Sequence, residues 1–176
     1  NYPFFPTRPY TWYKSIILRP SAQDNTFSRI RDIVITSLFE DGGDYGLPPE
    51  SQIYVQAYRQ MVLYLNGKYW GVYNLREKIT STFIAQHYGL ANPDAIDILM
   101  GNGNEKCVIA GDGWRDYTNM VEWADTHDLS DPQNYAYICS MIDEKSLALY
   151  TAAEILVGNT DSGNIKYWRT EETDNK

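Results

Sequence analysis

The dipeptide Asn66-Gly67 constrains the fold of this chain more than any other feature. Both residue types accept the positive φ angles of a type I′ turn, whose twist suits two antiparallel strands joined by two residues. β-Forming residues flank it, Met61–Leu65 before and Tyr69–Leu75 (YWGVYNL) after. Ile53–Tyr58 is a further β-rich run leading into the pair. An antiparallel meander is therefore predicted at the centre of the first half.

Punctuation residues divide the remainder. NYPFFPTRPYTWY reads as extended, and Lys14–Arg19 (KSIILR) as a strand stopped by Pro20, which has no N–H for a ladder. Asp24 or Asn25 offers an N-cap. Phe27, Ile30, Ile33, Val34 and Leu38 then follow at helical spacing, predicting a helix over 26–39. GGDYGLPPE is a loop. After Arg76 the pattern turns mainly helical. A short helix over 82–88 closes at Gly89. Small strands are predicted at Ile96–Met100 and Cys107–Ala110, around a Gly/Asn loop. A stripe of Trp114, Tyr117, Met120, Val121 and Ala124 marks a helix over 114–126. Asp131-Pro132 starts another, to about Met141. Asp143 caps a third, Glu144 to Val157, whose LALYTAAEILV core is apolar nearly all round and so predicts burial. Gly158 ends it, and Ile165–Arg169 reads as a strand.

With 176 residues the chain suits one ordinary domain or a piece of a larger one. A net charge of −8 argues against nucleic acid as a bulk electrostatic partner. No apolar run approaches the roughly 20 residues of a membrane span. Nothing at the start reads as a signal peptide. The start at Asn1 without Met, and the charged end TEETDNK, read as cuts in a longer chain. Cys107, Cys139, His87 and His127 are too scattered for a structural zinc site. The two cysteines read as buried free thiols, with one disulfide as the alternative.

Several familiar sites are absent. Gly67-Lys68 lacks the upstream glycine and following Ser/Thr of a P-loop. Gly101-x-Gly103 lacks the third glycine and the strand–helix setting of a dinucleotide site. No G-x-S-x-G occurs. Asp112–Asp116 (DGWRD) resembles half a calcium loop, but Trp114 stands where an oxygen ligand is required, so the aspartate reads as an ordinary N-cap.

Three groupings remain. Asp161 and Asn164 follow a glycine cap and precede a strand, which displays them on a loop between rigid elements. An Asp that orients a hydroxyl, with an Asn nearby to hold a cation, serves phosphoryl transfer in kinases; an Asx-turn is the plain structural reading. Arg19, Arg29 and Arg31 offer guanidinium forks suited to phosphate, or a solvated face. Leu75-Arg76-Glu77 lies where the meander meets the helical half, as a cleft border or as a plain ion pair.

The segment LYLNGKYWGVYNLREKI (Leu63–Ile79) resembles the CotH kinases, a family named for a spore coat protein. ILRPSAQDN with SRIRD (Ile17–Asp32) and AEILVGNTDSGNIKYWR (Ala153–Arg169) extend the likeness in the family's order. The resemblance implies an α+β, atypical protein-kinase-like fold. Its small lobe, 1–76, would be an antiparallel sheet plus a helix, and its large lobe, 77–176, mainly helical. It implies ATP with Mg²⁺ or Mn²⁺, and transfer to Ser/Thr of a secreted or spore-coat protein outside the cell. Asp161 would be the catalytic base, Asn164 a metal ligand, Arg19 the cation over the phosphates, and Glu77 part of the hinge near adenine. Asp161 and Asn164 stand three apart, closer than in ordinary protein kinases. Family members carry an Asp-Leu-Asp type strand soon after this point, so the chain reads as a fragment with impaired transfer. A non-catalytic structural or binding module is the second reading. A glycan-active enzyme with paired carboxylates is the third.

Overall fold

The structure, a computed structural model, describes residues 2–21, 24, 26–40, 53–101, 107–160, 163 and 165–172. The chain divides into two compact units, Asn1–Phe83 and Ile84–Lys176.

The first unit contains β1 (Ile16–Arg19), α1 (Arg31–Glu40), β2 (Tyr58–Leu65) and β3 (Lys68–Glu77). The sheet order is β1-β3-β2, with both pairings antiparallel. Leu65 pairs with Lys68 across Asn66 (φ 51°) and Gly67 (φ 78°), the left-handed pair that a two-residue I′ turn requires. Phe5, Ala57 and Leu75 are buried together, with Phe4, Tyr13 and Met61 packed against them.

Two expectations are corrected here. The run Ile53–Tyr58 is not a strand; regular pairing begins at Tyr58. Before it, one backbone bond, from the Glu77 amide to the Ala57 carbonyl at 3.3 Å, is joined by bonds to charged side chains. Arg8 donates to the Val55 carbonyl at 2.7 Å, and the Ala57 amide donates to Glu77 Oε2 at 2.8 Å. Helix α1 begins at Arg31, not at Thr26. The Asp24 carboxylate accepts from the Ser28 hydroxyl (2.6 Å), the Ser28 amide (3.2 Å) and the Arg31 amide (3.0 Å). These bonds tie the segment into a turn in which Arg29 takes φ 62°, and the helix starts where the turn releases it. Asp24 thus caps α1 from seven residues away.

Helix α2 (Ser81–Tyr88) links the two units in sequence. The second contains β4 (Ile96–Met100), β5 (Val108–Ala110), α3 (Trp114–Thr126), α4 (Pro132–Cys139), α5 (Glu144–Val157) and β6 (Lys166–Thr170). Its sheet runs β5-β4-β6, again antiparallel. Ile96 and Ile98 alternate on the buried face of β4. Caps set the helix ends as the sequence predicts. Asp131 accepts from the Gln133 amide at 2.7 Å and Asp143 from the Ser146 amide at 3.0 Å. Gly158 closes α5 in the left-handed conformation.

Three more expectations fail in this unit. Helix α5 is not buried: none of its 14 residues is, and Ile155 and Leu156 are 75% and 77% exposed. An apolar helix is buried only where another element covers it, and no described element covers these two. The N-cap of α3 is Gly113, without a side-chain cap, so Asp112 does not fill that role. Cys107 and Cys139 are not joined in a disulfide, as expected, but they are half-buried rather than buried.

Candidate functional site

Strand β3 ends in Asn74-Leu75-Arg76-Glu77, all buried. Strand alternation sends Asn74 and Arg76 to one side and Glu77 to the other. Arg76 and Glu77 therefore do not pair with each other, which removes the plain ion-pair reading, and each carries its own cluster.

The Arg76 cluster faces α1. Arg76 Nη1 meets Asp32 Oδ2 at 2.5 Å, and Arg19 Nε meets the same oxygen at 3.2 Å. Asp32 lies in the first turn of α1 and Arg19 at the end of β1, opposite Asn74. Arg76 Nη2 also contacts Thr36 Oγ1 and the Gln56 carbonyl, each at 3.4 Å. Asn74 donates to Ser21 Oγ at 3.3 Å, where Ser21 takes φ 69°. Among the described residues, the buried atoms Asn74 Oδ1 and Arg76 Nε have no hydrogen-bond partner. Burial lowers the Arg76 pKa and Arg19 adds to that, while Asp32 opposes them. The Arg76 side chain is 4% exposed, so it serves the interior; the Arg19 side chain, 45% exposed, faces solvent.

The Glu77 cluster binds the N-terminal segment to the sheet. Glu77 Oε1 accepts from the Tyr10 hydroxyl at 2.7 Å. Oε2 accepts from Arg8 Nε at 3.0 Å and from the Ala57 amide at 2.8 Å. Gln56 donates to the Glu77 carbonyl. Arg8 continues to Glu40 at 3.3 Å, the last residue of α1. Burial, then the Glu77 carboxylate, raises the Tyr10 pKa far above that of a free phenol.

In the second unit a charged latch joins β4, β6 and α3. Arg169 Nε meets Asp97 Oδ2 at 2.9 Å, and its Nη2 meets Asp116 Oδ2 at 2.7 Å. The Asp112 amide donates to Asp97 Oδ1 at 2.8 Å. Gly111 and Gly113 leave room for that carboxylate: a Cβ on Gly111 would stand 1.7 Å from Asp97 Oδ1. The Asp116 pKa is lowered by the Arg169 hydrogen bond first. Burial lowers the Arg169 pKa, but the two aspartates outweigh it and the net shift is upward. Two backbone bonds involve Asn159 and Ile165. The Asn159 amide donates to the Glu154 carbonyl at 3.0 Å, and the Gly101 amide to the Ile165 carbonyl at 3.1 Å.

Of the sequence-predicted residues, Arg19 and Glu77 are placed and are not brought together: they lie on opposite sides of the β1–β3 ladder. Asp161 and Asn164 lie outside the described residues. Arg31, also picked for its charge, is exposed, lies 3.7 Å from Asp24 and stacks over Phe27. The sequence reading missed Asp32, Arg8 and Tyr10. Asp32 carried a signal, being the one acidic residue in the first turn of α1; Arg8 and Tyr10 carried none, since their partner is far along the chain. Among the described residues no three His, Cys, Asp or Glu side chains cluster as a metal site.

An α+β chain with two small antiparallel sheets and a strand–helix ion pair defines an architecture; the comparisons supply a family. The family model for the CotH kinase protein matches residues 5–176, and the chain belongs to this family. No curated protein and no solved structure matches it.

Proposed function

We propose that this chain is a CotH-type protein kinase that transfers the γ-phosphoryl group of ATP to Ser or Thr of a secreted or spore-coat protein. The observation that carries the reading, beside the family match, is the Arg19–Asp32 pair. Protein kinases hold the phosphates of ATP with a strand cation paired to a helix carboxylate. Here a cation at the end of β1 pairs at 3.2 Å with a carboxylate in the first turn of the following helix, and the hairpin β2–β3 completes the sheet. The half-exposed guanidinium of Arg19 suits a phosphate oxygen, which favours the fork geometry of arginine. Leu75–Glu77 would border the adenine, with the Glu77 carboxylate engaged by Arg8 and Tyr10.

In this reading Asp161 orients the attacking hydroxyl and accepts its proton, and Asn164 is a ligand of Mg²⁺ or Mn²⁺. The metal would neutralise charge on the phosphates. Among the described residues Arg19 would meet the anion, and no three His, Cys, Asp or Glu side chains cluster to hold the metal.

Thermal unfolding of the protein, with and without Mg-ATP, tests the nucleotide site, since a ligand of the native state raises stability by mass action. A shift that disappears in Arg19→Met supports it; no shift with magnesium or manganese refutes it. Asp161→Ala should then abolish phosphoryl transfer and leave ATP binding intact.

A non-catalytic binding or structural module is the second reading. Tyr64, Tyr69 and Trp70 are each about 60% exposed around the hairpin turn, and such an aromatic tip suits protein or glycan contact. Binding that survives Asp161→Ala, with no transfer by the wild-type protein, would select this reading. No helix among the described residues is long and apolar enough to cross a membrane.

A further inference from the structure

We infer that Arg76 is a positioning residue, which acts through Asp32 to hold the Arg19 guanidinium in place. The inference rests on the reading of Arg19 as the phosphate contact and adds what fixes that contact. The argument is one of charge and burial. Two guanidinium groups share a single oxygen, Asp32 Oδ2, at 2.5 Å and 3.2 Å. One carboxylate balances only one of them, so the triad carries a surplus positive charge. A further carboxylate acting on Arg76 is Glu40, which is itself paired with Arg8.

Arg76 cannot deliver that surplus to a ligand, because its side chain is almost wholly enclosed. Arg19 can, from a side chain that faces solvent on one side. The interior cation also sets the rotamer of Asp32. Thr36 and the Gln56 carbonyl hold Arg76 Nη2, so Nη1 points at Asp32 from a fixed direction. A lone surface pair such as Arg19–Asp32 would be poorly ordered, since two long exposed side chains lose entropy for little Coulomb gain. Backed by a buried cation, the carboxylate presents its oxygen to Arg19 with its own torsions already restricted. The unpartnered Nε of Arg76 shows that the cluster's donors are not exhausted internally, as expected where positive charge is in excess.

The experiment uses the whole chain and two readouts. The first needs no ligand: the ¹⁵N–¹H heteronuclear NOE of the Arg19 Nε–Hε group, in wild type, Arg76→Met and Arg76→Lys. A high value in wild type that collapses in Arg76→Met, with partial rescue in Arg76→Lys, supports the inference. An Arg19 signal equally ordered in Arg76→Met overturns it. If Arg76→Met does not fold, Arg76→Gln carries the same test, since its amide removes the charge and can still donate to the Gln56 carbonyl. The second readout is metal-free binding of inorganic pyrophosphate. We expect about a tenfold loss in Arg76→Met and no additional loss when Arg19→Met is already present, because residues acting through one contact are not additive. Additive losses overturn the inference. An NOE response without pyrophosphate binding by wild type upholds the positioning and refutes the phosphate role of Arg19.

Discussion

Replacing Glu77 tests a buried, multiply bonded carboxylate of the first unit. Its carboxylate is 2% exposed and takes three hydrogen bonds, at 2.7, 2.8 and 3.0 Å, from a phenol, a backbone amide and a guanidinium. Removing one partner of a buried ion pair costs roughly 3–5 kcal/mol. Arg8 keeps two other contacts, Glu40 at 3.3 Å and the Val55 carbonyl at 2.7 Å, so Glu77→Ala belongs at the lower end, about 3 kcal/mol. Glu77→Gln should cost less, about 1–2 kcal/mol. Its amide oxygen can serve Arg8 and Ala57, while its NH₂ donates to a Tyr10 hydroxyl that reverses its role. Hydrogen exchange at the β3 amides is the assay, because it reads the opening of this unit without assuming that the whole chain unfolds at once. About 3 kcal/mol means exchange faster by roughly a hundredfold. A change below threefold in Glu77→Ala would refute the reasoning, and would return the Glu77 carboxylate to the pool of groups free to meet a nucleotide. The same cluster sets an alkaline limit. The folded-state pKa of Tyr10 is raised, so its contribution is complete below the free-phenol range and is lost as pH climbs above it. Glu77→Gln should soften that loss.

The acid limit involves Asp24. The Ser28 hydroxyl, then the Arg31 amide, lower its pKa, so its contribution is present above the ordinary carboxylate value and fades as pH falls through the lowered one. Amides in the first turn of α1 should exchange faster as pH drops through that window, after correction for intrinsic rates; Asp24→Asn should flatten the dependence, and an unchanged profile would count against the cap. Gly111→Ala should destabilise the second unit by about 3 kcal/mol, since the backbone there has φ 67° and the new Cβ would meet Asp97 Oδ1 at 1.7 Å and its Cα at 2.9 Å. Urea unfolding followed at Trp168 checks this, and a loss under 1 kcal/mol would mean that the latch yields.

Much of the secondary structure was legible because its causes are local. The Asn66-Gly67 turn, the caps at Asp131 and Asp143 and the stop at Gly158 each act within a few residues, so a short window contains cause and effect. The helix over 26–39 was misjudged at its start because Asp24 reaches across seven residues to the Arg31 amide, and hydrophobic spacing is blind to that bond. The family's NGxYWG segment was legible as well, and with it Arg19 and Glu77 as residues to watch.

Their partnerships were not. Strand alternation separates Arg76 from Glu77, but only the folded sheet decides that Asp32 is the partner of one and that Arg8 and Tyr10 are partners of the other. Such pairs are 44 to 69 residues apart in sequence, and a charge in a linear sequence does not specify which distant opposite charge it will meet. Helix α5 shows the same limit for apolar surface. Its composition states that it can be buried, whereas burial itself depends on whether another element is placed over it. The sequence by itself thus determined turns, caps, strand periodicity and family. Tertiary structure alone decided which charges share a buried oxygen and which apolar faces are covered, because desolvation and Coulomb energies depend on distances in space rather than positions along the chain.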